Sequence, residues 1–189
     1  MTPIKLVILD RDGTINEDSD DFIKSADEWK PLPGALEAIA RLNQAAWHVV
    51  VASNQSGLGR GLFEVADLNA IHAKMHQMLA AVGGRIDAVF YCPHTPADEC
   101  HCRKPASGLF EQIADRYGLD FKNVPVVGDS ARDVIAGVAV GCEPHLVLTG
   151  KAAIYKGRAL PESFPPQTRV HDDLSAFVDF LLSREEAQV

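Results

Sequence analysis

The chain has 189 residues, a length that fits one domain over 1–189 and suffices to bury a hydrophobic core. Its hydrophobic content of 47% and charged content of 23% are ordinary for a soluble globular protein. The net charge of −8 disfavours a nucleic-acid partner, although a phosphorylated small molecule needs only local positive charge.

The predicted strands and helices alternate along the chain. Aliphatic runs predict strands over residues 6–9, 48–52, 86–91, 124–127, 145–148 and 168–171. Helices are predicted over residues 35–46, 64–82 and 108–117, in a short segment ending at 139, and over 174–182. This alternation predicts an α/β domain with a doubly wound, mostly parallel sheet. No segment is long enough for a large cap domain, and residues 152–167 are predicted to form a long loop.

The expected location of the protein follows from features that the sequence lacks. It contains no apolar run long enough to span a bilayer, and its first residues lack the zones of a signal peptide. We therefore expect a cytoplasmic protein with no membrane partner. Three of the four cysteines lie between Cys92 and Cys102, and in a reducing compartment this clustering indicates metal binding more than disulfides.

Polar side chains follow the predicted strands at the ends where parallel sheets bind ligands. Asp10 and Asp12 follow the first strand, although taken alone they would also fit a polar turn. The other candidates are Ser53 and Asn54 after the second strand, Lys104 before a helix, and Asp129 and Asp133 after the fourth strand. Together these groups supply the parts for phosphoryl transfer.

Phosphoryl transfer accounts for these residue types. A phosphate monoester and an attacking carboxylate are both anions, so a divalent cation is needed, and Asp oxygens suit Mg²⁺. One carboxylate can form an aspartyl-phosphate, and a second carboxylate two residues on can move the proton. Ser53 and Lys104 can hold the phosphoryl oxygens.

A second metal site is indicated by Cys92, His94, Cys100 and Cys102. Three thiolates and an imidazole fit a closed, four-coordinate structural Zn²⁺ site, which would order a loop too short to have its own core. The spacing is not the common C-x2-C type, and the alternative is a chance grouping around a buried Cys92. His101 lies between the ligands and is not expected to be one of them.

Other polar positions have less specific interpretations. His72 and His76 are four residues apart and would share a helix face, where two surface histidines are favoured over a metal pair. Arg60 lies in the glycine-rich turn 57–61, which is either a connector or a phosphate contact. Cys142 is expected to be a small core residue.

The chain resembles the phosphatase branch of the haloacid dehalogenase (HAD) superfamily in four ordered motifs. These motifs are Asp10-Arg11-Asp12-Gly13-Thr14, Ser53-Asn54-Gln55, Lys104 and Gly128-Asp129-Ser130-x-x-Asp133. The resemblance implies an HAD-like fold with Asp10 as nucleophile and Asp12 as general acid and base. It also implies Mg²⁺ held by Asp10, the backbone carbonyl of Asp12 and Asp129, with Asp133 supporting Lys104 or a metal-bound water. A zinc-ordered binding module with a relic active site is the alternative, and no expected catalytic position is missing to favour it.

The zinc-type insert resembles two HAD phosphatase groups. One hydrolyses D-glycero-D-manno-heptose 1,7-bisphosphate for lipopolysaccharide and S-layer sugars, and the other hydrolyses histidinol phosphate for histidine biosynthesis. Residues 53–63 and 149–151 resemble the heptose group, whereas the short linker 96–99 resembles the histidinol group. The extra cations favour the heptose group, because a bisphosphate leaves a second phosphate to bind while the C7 phosphate is removed.

The resemblance also implies where a sugar would be held. The implied substrate-binding residues are Asp18, Ser19, Asp20, Asp21, Asn54, Gln55, Ser56, Arg60, Arg103 and Lys151. We expect a small phosphorylated sugar as the partner and a monomeric enzyme, and the preferred anomer at C1 stays open.

Overall fold

The computed structural model describes residues 4–187 and contains one six-stranded sheet. The strands are β1 (Leu6–Leu9), β2 (His48–Asn54), β3 (Ala88–Cys92), β4 (Pro125–Gly128), β5 (Glu143–Val147) and β6 (Arg169–His171). Their order in the sheet is β3-β2-β1-β4-β5-β6, and every neighbouring pair is parallel. The predicted doubly wound α/β fold is confirmed.

Six α-helices connect or follow the strands. They are α1 (Ala35–Gln44), α2 (Ser56–Gly59), α3 (Val65–Ala81), α4 (Gly108–Tyr117), α5 (Ala131–Ala139) and α6 (Leu174–Glu186). The short α2 was not predicted, and a 3₁₀ helix at Gly150–Tyr155 begins the segment that was expected to be a loop. Among the described residues, no helix is long and apolar enough to cross a membrane.

Strand β1 lies inside the sheet, between β2 and β4, and all four of its residues are buried. Their side chains point alternately to the two faces of the sheet. Val7 and Leu9 pack in a core that includes side chains of α1, α3 and α6. Leu6 and Ile8 pack in the opposite core, which includes side chains of α4 and α5. Each fully buried aliphatic side chain of this kind stabilises the fold by about 1.5–3 kcal/mol, so helices on both faces hold β1 in place.

The strand order places a topological switch point between β1 and β4. The chain runs outward from β1 through β2 to β3, and then returns to start β4 on the other side of β1. Ligands of open parallel sheets bind at the carboxyl ends of the strands beside such a point. Asp10 follows β1 and Asp129 follows β4, so both acids lie at the mouth of this crevice.

Candidate active site

Asp10 lies directly beyond β1 and is held against β4, where its backbone N–H donates to the Val127 carbonyl at 2.9 Å. Lys104 Nζ donates to Asp10 Oδ1 at 2.9 Å. Burial and the nearby Asp133 carboxylate raise the pKa of Asp10 to about 6, although Lys104 opposes the shift. The second oxygen of Asp10 is left to face the cavity beyond the strand end.

Lys104 is buried at 2% exposure and joins three segments of the chain. Its ammonium group donates to Asp10, to Asp133 Oδ1 at 2.6 Å and to the Ala52 carbonyl at 2.6 Å. Asn54 fixes its backbone, because the Asn54 amide donates to the Lys104 carbonyl and accepts from the Lys104 N–H. Burial alone would lower the pKa of Lys104, but the two carboxylates outweigh it and raise that pKa. Lys104 is therefore a fixed cation.

Asp133 contacts Lys104, which is one of the two roles that the HAD resemblance left open for it. Its Oδ1 accepts from Lys104, and its Oδ2 accepts from the backbone N–H and hydroxyl of Ser130 at 3.1 and 2.9 Å. The contact from the Ser130 N–H is one half of the capping box of α5, and the Ser130 side chain accepts from the Asp133 backbone N–H in the other half. Both oxygens of Asp133 are occupied, which suits it to anchor the lysine.

Asp129 lies between two glycines that approach its carboxylate closely. Gly13 has a φ of +81° and Gly150 a φ of +50°, and a Cβ atom on either would collide with the Asp129 carboxylate. The Lys151 N–H donates to Asp129 Oδ2 at 2.8 Å. Burial raises the pKa of Asp129 to about 9, with further contributions from Asp10 and Asp133.

The acidic cluster fits a divalent cation. Asp10, Asp129 and Asp133 each offer an oxygen within 4.8 Å of the others. Burial, and then the mutual repulsion of three carboxylates that one lysine does not balance, raise the pKa values of Asp10 and Asp129. A hard cation with oxygen ligands would stabilise the ionised forms. Since Asp133 is committed to Lys104 and Ser130, Asp10 and Asp129 are the side chains left to bind it.

Asp12 is held in a network distinct from that of Asp10. Its Oδ1 accepts from Arg11 Nε and Asn16 Nδ2, both at 2.9 Å, and its Oδ2 accepts from Gln55 Nε2 at 3.0 Å. Burial alone would raise its pKa, but Arg11 and these hydrogen bonds lower it. Its side chain is 22% exposed, so one carboxylate edge still reaches the cavity.

A cavity of about 240 Å³ opens beyond these strand ends. The predicted site residues that line it are Asp10, Asp12, Asp18, Ser19, Asp20, Asn54, Gln55, Ser56, Arg60, Arg103, Lys104, Asp129 and Lys151. Lys151 Nζ pairs with Asp18 at 2.7 Å across the cavity rim. The two segments expected near the sugar therefore contact each other.

Two predicted site residues do not line the cavity. Ser53 is 1% exposed and lies beneath Gln55, whose Nε2 donates to Ser53 Oγ at 2.8 Å. Asp21 is exposed. The chain turns here, since the Phe22 N–H donates to the Ser19 carbonyl at 3.1 Å, and Phe22 rather than Asp21 is directed inward. Asp21, which the resemblance implied as a substrate-binding residue, is thus not among the residues that line this cavity.

Sequence reasoning missed three further residues of the cavity, namely Phe22, Ile23 and Arg132. Phe22 has a φ of +64°, which is uncommon for an aromatic residue, and its ring lies 5.7 Å from the Arg60 guanidinium. Arg132 lies in the first turn of α5, three residues after Asp129. Its position inside the fourth motif was a signal that could have found it, whereas no local pattern identifies Phe22.

Arg60, Arg103 and Arg132 form a cationic group, named here the arginine cluster, at the cavity. Burial lowers the pKa of Arg103, and the charges of Arg132 and Arg60 add to that shift. The Nη1 atom of Arg103 is buried without a hydrogen-bond partner among the described residues. Such a group favours an anion with several oxygens.

His72 is not a surface residue, contrary to the prediction. Its ring is half-buried on α3, and Nε2 lies 3.0 Å from Arg11 Nη1. Burial lowers its pKa to about 4, and the Arg11 charge contributes. His76, one turn later, is exposed as expected. Helix period alone could not show that α3 turns His72 toward a buried arginine.

The predicted zinc ligands converge on one point. Cys92, His94, Cys100 and Cys102 each offer a ligand atom within 4.8 Å of the others, and no disulfide links these cysteines. Tetrahedral Zn²⁺ with thiolate ligands places sulfur atoms roughly 3.8 Å apart. Cys100 Sγ lies 3.5 Å from Cys92 Sγ and 3.7 Å from Cys102 Sγ, whereas Cys92 and Cys102 are closer, at 2.8 Å. His101 turns away and pairs with Glu111.

The cysteine site is coupled to the catalytic segment through the backbone. Burial opposes ionisation of Cys100, but the N–H donated by Arg103 and the neighbouring thiols lower the Cys100 pKa to about 6. Lys104 follows Arg103 directly. The loop that carries the sulfur ligands therefore also carries two of the cations of the cavity, Arg103 and Lys104.

Known proteins are similar to this chain in sequence. A family model described as HAD-hydrolase-like matches residues 101–177. A D-glycero-β-D-manno-heptose-1,7-bisphosphate 7-phosphatase of Bordetella bronchiseptica is 56% identical, over 95% of this chain and 98% of that protein. The chain belongs to this family of HAD-like phosphatases. The HAD relationship predicted from the four motifs is thus confirmed, and a relative of the same name in Pseudomonas aeruginosa is 50% identical over 94% of the chain.

Solved structures of HAD-like phosphatases have the same fold as this chain. The D,D-heptose 1,7-bisphosphate phosphatase of B. bronchiseptica, complexed with magnesium and phosphate, matches with a TM-score of 0.91 and 55% identity. That match covers 96% of this chain and 99% of the other. The corresponding enzyme of Burkholderia thailandensis matches with a TM-score of 0.74 and 53% identity, over 95% and 99% of the two chains.

Proposed function

We propose that this chain is a Mg²⁺-dependent phosphatase that removes the C7 phosphate of D-glycero-β-D-manno-heptose 1,7-bisphosphate. The observation that carries the proposal is its 56% identity, over nearly its whole length, to a phosphatase named for that reaction. The histidinol-phosphate alternative, suggested by the short linker 96–99, is not favoured by relatives at 50–56% identity. The β anomer is proposed from the same names.

Asp10 is the proposed nucleophile. Lys104 holds Oδ1, so the other carboxylate oxygen is free to attack phosphorus. As the new O–P bond forms, the bond from phosphorus to the sugar oxygen breaks, and an aspartyl-phosphate remains on Asp10. The buried ammonium group reduces repulsion between the carboxylate and the incoming phosphate.

Asp12 is the proposed proton carrier. Its carboxyl group donates a proton to the departing sugar oxygen and then takes one from the water that attacks the aspartyl-phosphate. Inorganic phosphate and free Asp10 are the products of that second step. The contacts from Arg11, Asn16 and Gln55 hold Asp12 in one orientation for both transfers.

The carboxylates of Asp10 and Asp129 and the Asp12 backbone carbonyl are the proposed Mg²⁺ ligands. When bound, Mg²⁺ supplies the positive charge that brings the phosphate to the carboxylate and stabilises the transferring group. The clustering of Asp10 with Asp129 and the magnesium in a relative's structure support this assignment. Ser53 remains a proposed phosphoryl ligand, because its Oγ accepts from Gln55 and its own hydrogen is unused.

The arginine cluster and Lys151 are proposed to bind the C1 phosphate. While the C7 phosphate lies at Asp10, the second phosphate needs a separate cationic site. Arg103 has a buried Nη1 atom without a partner, which supports an anion at this position. Phe22 and the segment 18–20 would then face the sugar between the two phosphates.

We propose that Cys92, His94, Cys100 and Cys102 bind a structural Zn²⁺ ion. The convergence of three sulfur atoms and one ring nitrogen supports a closed site with four protein ligands. Its role would be to order residues 92–104 and so fix Arg103 and Lys104. The monomeric state implied by the HAD resemblance stays a prediction.

A parallel assay tests the proposed substrate. We expect kcat/KM for the heptose bisphosphate to exceed that for histidinol phosphate by at least ~100-fold, because the arginine cluster binds a group that histidinol phosphate lacks. Both heptose anomers and Mg²⁺-free buffer belong in the panel. A higher kcat/KM for histidinol phosphate would overturn the proposal.

A further inference from the structure

Arg11 lies between the two catalytic aspartates in sequence, but its side chain runs beneath the site and is fully buried. Nε donates to Asp12 Oδ1 at 2.9 Å. Nη2 lies 2.8 Å from the same oxygen without the alignment of a hydrogen bond. Nη1 is directed the other way and lies 3.0 Å from His72 Nε2. The guanidinium therefore bridges the Asp12 carboxylate and helix α3.

The chemistry of this bridge fixes the state of His72. A guanidinium has five N–H donors, no acceptor, and does not lose its proton in proteins. His72 Nε2 must therefore accept the hydrogen bond from Arg11 Nη1. The ring is neutral, with its proton on Nδ1, because an imidazolium has only donors and would place two cations in contact.

His72 has no substitute as an acceptor for Nη1 among the described contacts of Arg11. Nη2 already lacks a well-aligned partner, so loss of the ring nitrogen would leave two buried nitrogen atoms of the guanidinium unsatisfied. The guanidinium would then rotate or shift to recover an acceptor. Asp12 Oδ1 would move with it, since Arg11 and Asn16 are the donors that define its position.

We infer that His72 is a positioning residue for Asp12, acting through the buried Arg11 side chain. The inference rests on the proposed function, in which Asp12 protonates the departing oxygen. His72 does not line the cavity, and among the described residues its side chain forms a hydrogen bond with Arg11 alone, so Arg11 is the link between His72 and Asp12.

The inference predicts dependence on the leaving group. A sugar alkoxide is a poor leaving group and needs a well-placed acid, whereas p-nitrophenolate is stable enough to depart unprotonated. Misplacing Asp12 should therefore slow phosphoryl transfer from an alkyl phosphate more than transfer from p-nitrophenyl phosphate. Because kcat/KM reports the steps up to the first irreversible one, it isolates this transfer from hydrolysis of the aspartyl-phosphate.

Three variants test the inference. His72→Leu removes the hydrogen-bond acceptor with a side chain of similar size, whereas His72→Gln keeps an acceptor, because its amide oxygen can replace Nε2. His76→Leu, at the exposed histidine one turn later, is the control. We expect His72→Leu to lower kcat/KM for the heptose bisphosphate by about 10–100-fold and for p-nitrophenyl phosphate by less than about threefold. His72→Gln should stay within about threefold of wild type on both esters, and His76→Leu should match wild type.

Two kinetic results would overturn the inference: equal losses on both esters, or a loss that His72→Gln does not restore. Side-chain ¹⁵N NMR of the wild-type enzyme tests the bridge without activity or any variant that must fold. His72 should be neutral and protonated on Nδ1 at neutral pH, and a proton on Nε2 would contradict the bridge. If wild type hydrolyses no alkyl phosphate, the proposed function fails, and the NMR result still decides the bridge.

Discussion

A single ammonium group, that of Lys104, explains much of the site at the scale of residues. It contacts one oxygen of Asp10 and one of Asp133, so the nucleophile and its supporting acid share a buried cation. Asp12, two residues from Asp10, belongs to a separate network around Arg11. Opposite pKa shifts follow, raised for Asp10 by burial and lowered for Asp12 by its donors. The two acids are therefore held by different partners and have different electrostatic surroundings.

Asp10→Asn should abolish turnover while leaving the fold intact. The amide has nearly the same shape as the carboxylate but cannot form the aspartyl-phosphate, so we expect kcat to fall by at least ~10⁴-fold. Steady-state phosphate release measures the loss, with Asp179→Asn on the exposed face of α6 as the control. Near-wild-type hydrolysis by Asp10→Asn would remove Asp10 from the role of nucleophile.

At the scale of elements, the segment between β3 and α4 links metal binding to catalysis. Cys92 ends β3, the other ligands follow within ten residues, and Lys104 comes two residues after the last of them. The segment has a single turn of 3₁₀ helix at Pro96–Asp98. A loop with so little regular structure needs another source of order, and four metal ligands would supply it.

The purified protein should contain about one zinc ion per chain by elemental analysis, since the loop offers four ligands. Cys100→Ser should lose the zinc and lower kcat/KM, because Cys100 accepts from the Arg103 N–H and Lys104 is the next residue. Cys142→Ser, at a buried position outside the cluster, should keep the zinc. Full activity of zinc-free protein would contradict a structural role for the metal.

At the scale of the whole molecule, a second network of buried polar side chains connects β5 with the edge strand β6 and with α6. His145 is fully buried, with Nε2 2.9 Å from Glu143 and Nδ1 2.9 Å from His171 Nε2. The Glu143 carboxylate can only accept, so His145 donates from Nε2 and accepts from His171 on Nδ1. Burial lowers the pKa of His145 from 6.5 to about 4, although Glu143 opposes the shift.

Acid should therefore destabilise the fold through His145. The His145 ring binds a proton near pH 6.5 in the unfolded chain but only near pH 4 in the folded chain. The contribution of neutral His145 to the free energy of unfolding is therefore complete above pH 6.5 and is lost as the pH falls toward 4. The loss from this group is about 3 kcal/mol. Urea unfolding at several pH values should show a shallower acid loss in His145→Gln than in wild type. The exposed control His101→Gln should keep the wild-type slope, and an unchanged slope in His145→Gln would contradict the assignment.

Element positions were largely predictable, and the errors have local causes. The central strand matched residues 6–9, and α4 matched 108–117 with Gly118 in the left-handed conformation at its end. Helix α6 continues to Glu186, four residues past its predicted end, because charged residues can extend an exposed helix without any apolar signal. The short α2 was missed because its glycine-rich sequence has low helix propensity.

The sequence by itself determined which acids meet. Alternating strands and helices favour a parallel sheet, and a parallel sheet brings its carboxyl ends to one edge, so Asp10 and Asp129 converge there. The proposed zinc ligands could also be identified from the sequence, because Cys92, His94, Cys100 and Cys102 lie within eleven consecutive residues.

Only the tertiary structure decided what lies beneath and around those groups. The direction of the Arg11 side chain, the rotation of α3 that brings His72 to it, and the left-handed Phe22 depend on packing between distant segments. The hydrophobic periodicity of a helix indicates which face is buried. It does not indicate which polar side chain at the edge of that face contacts a residue from another segment. Arg11, which lies between the two proposed catalytic aspartates, is thus held by a hydrogen bond to His72 of α3, 61 residues later in the chain.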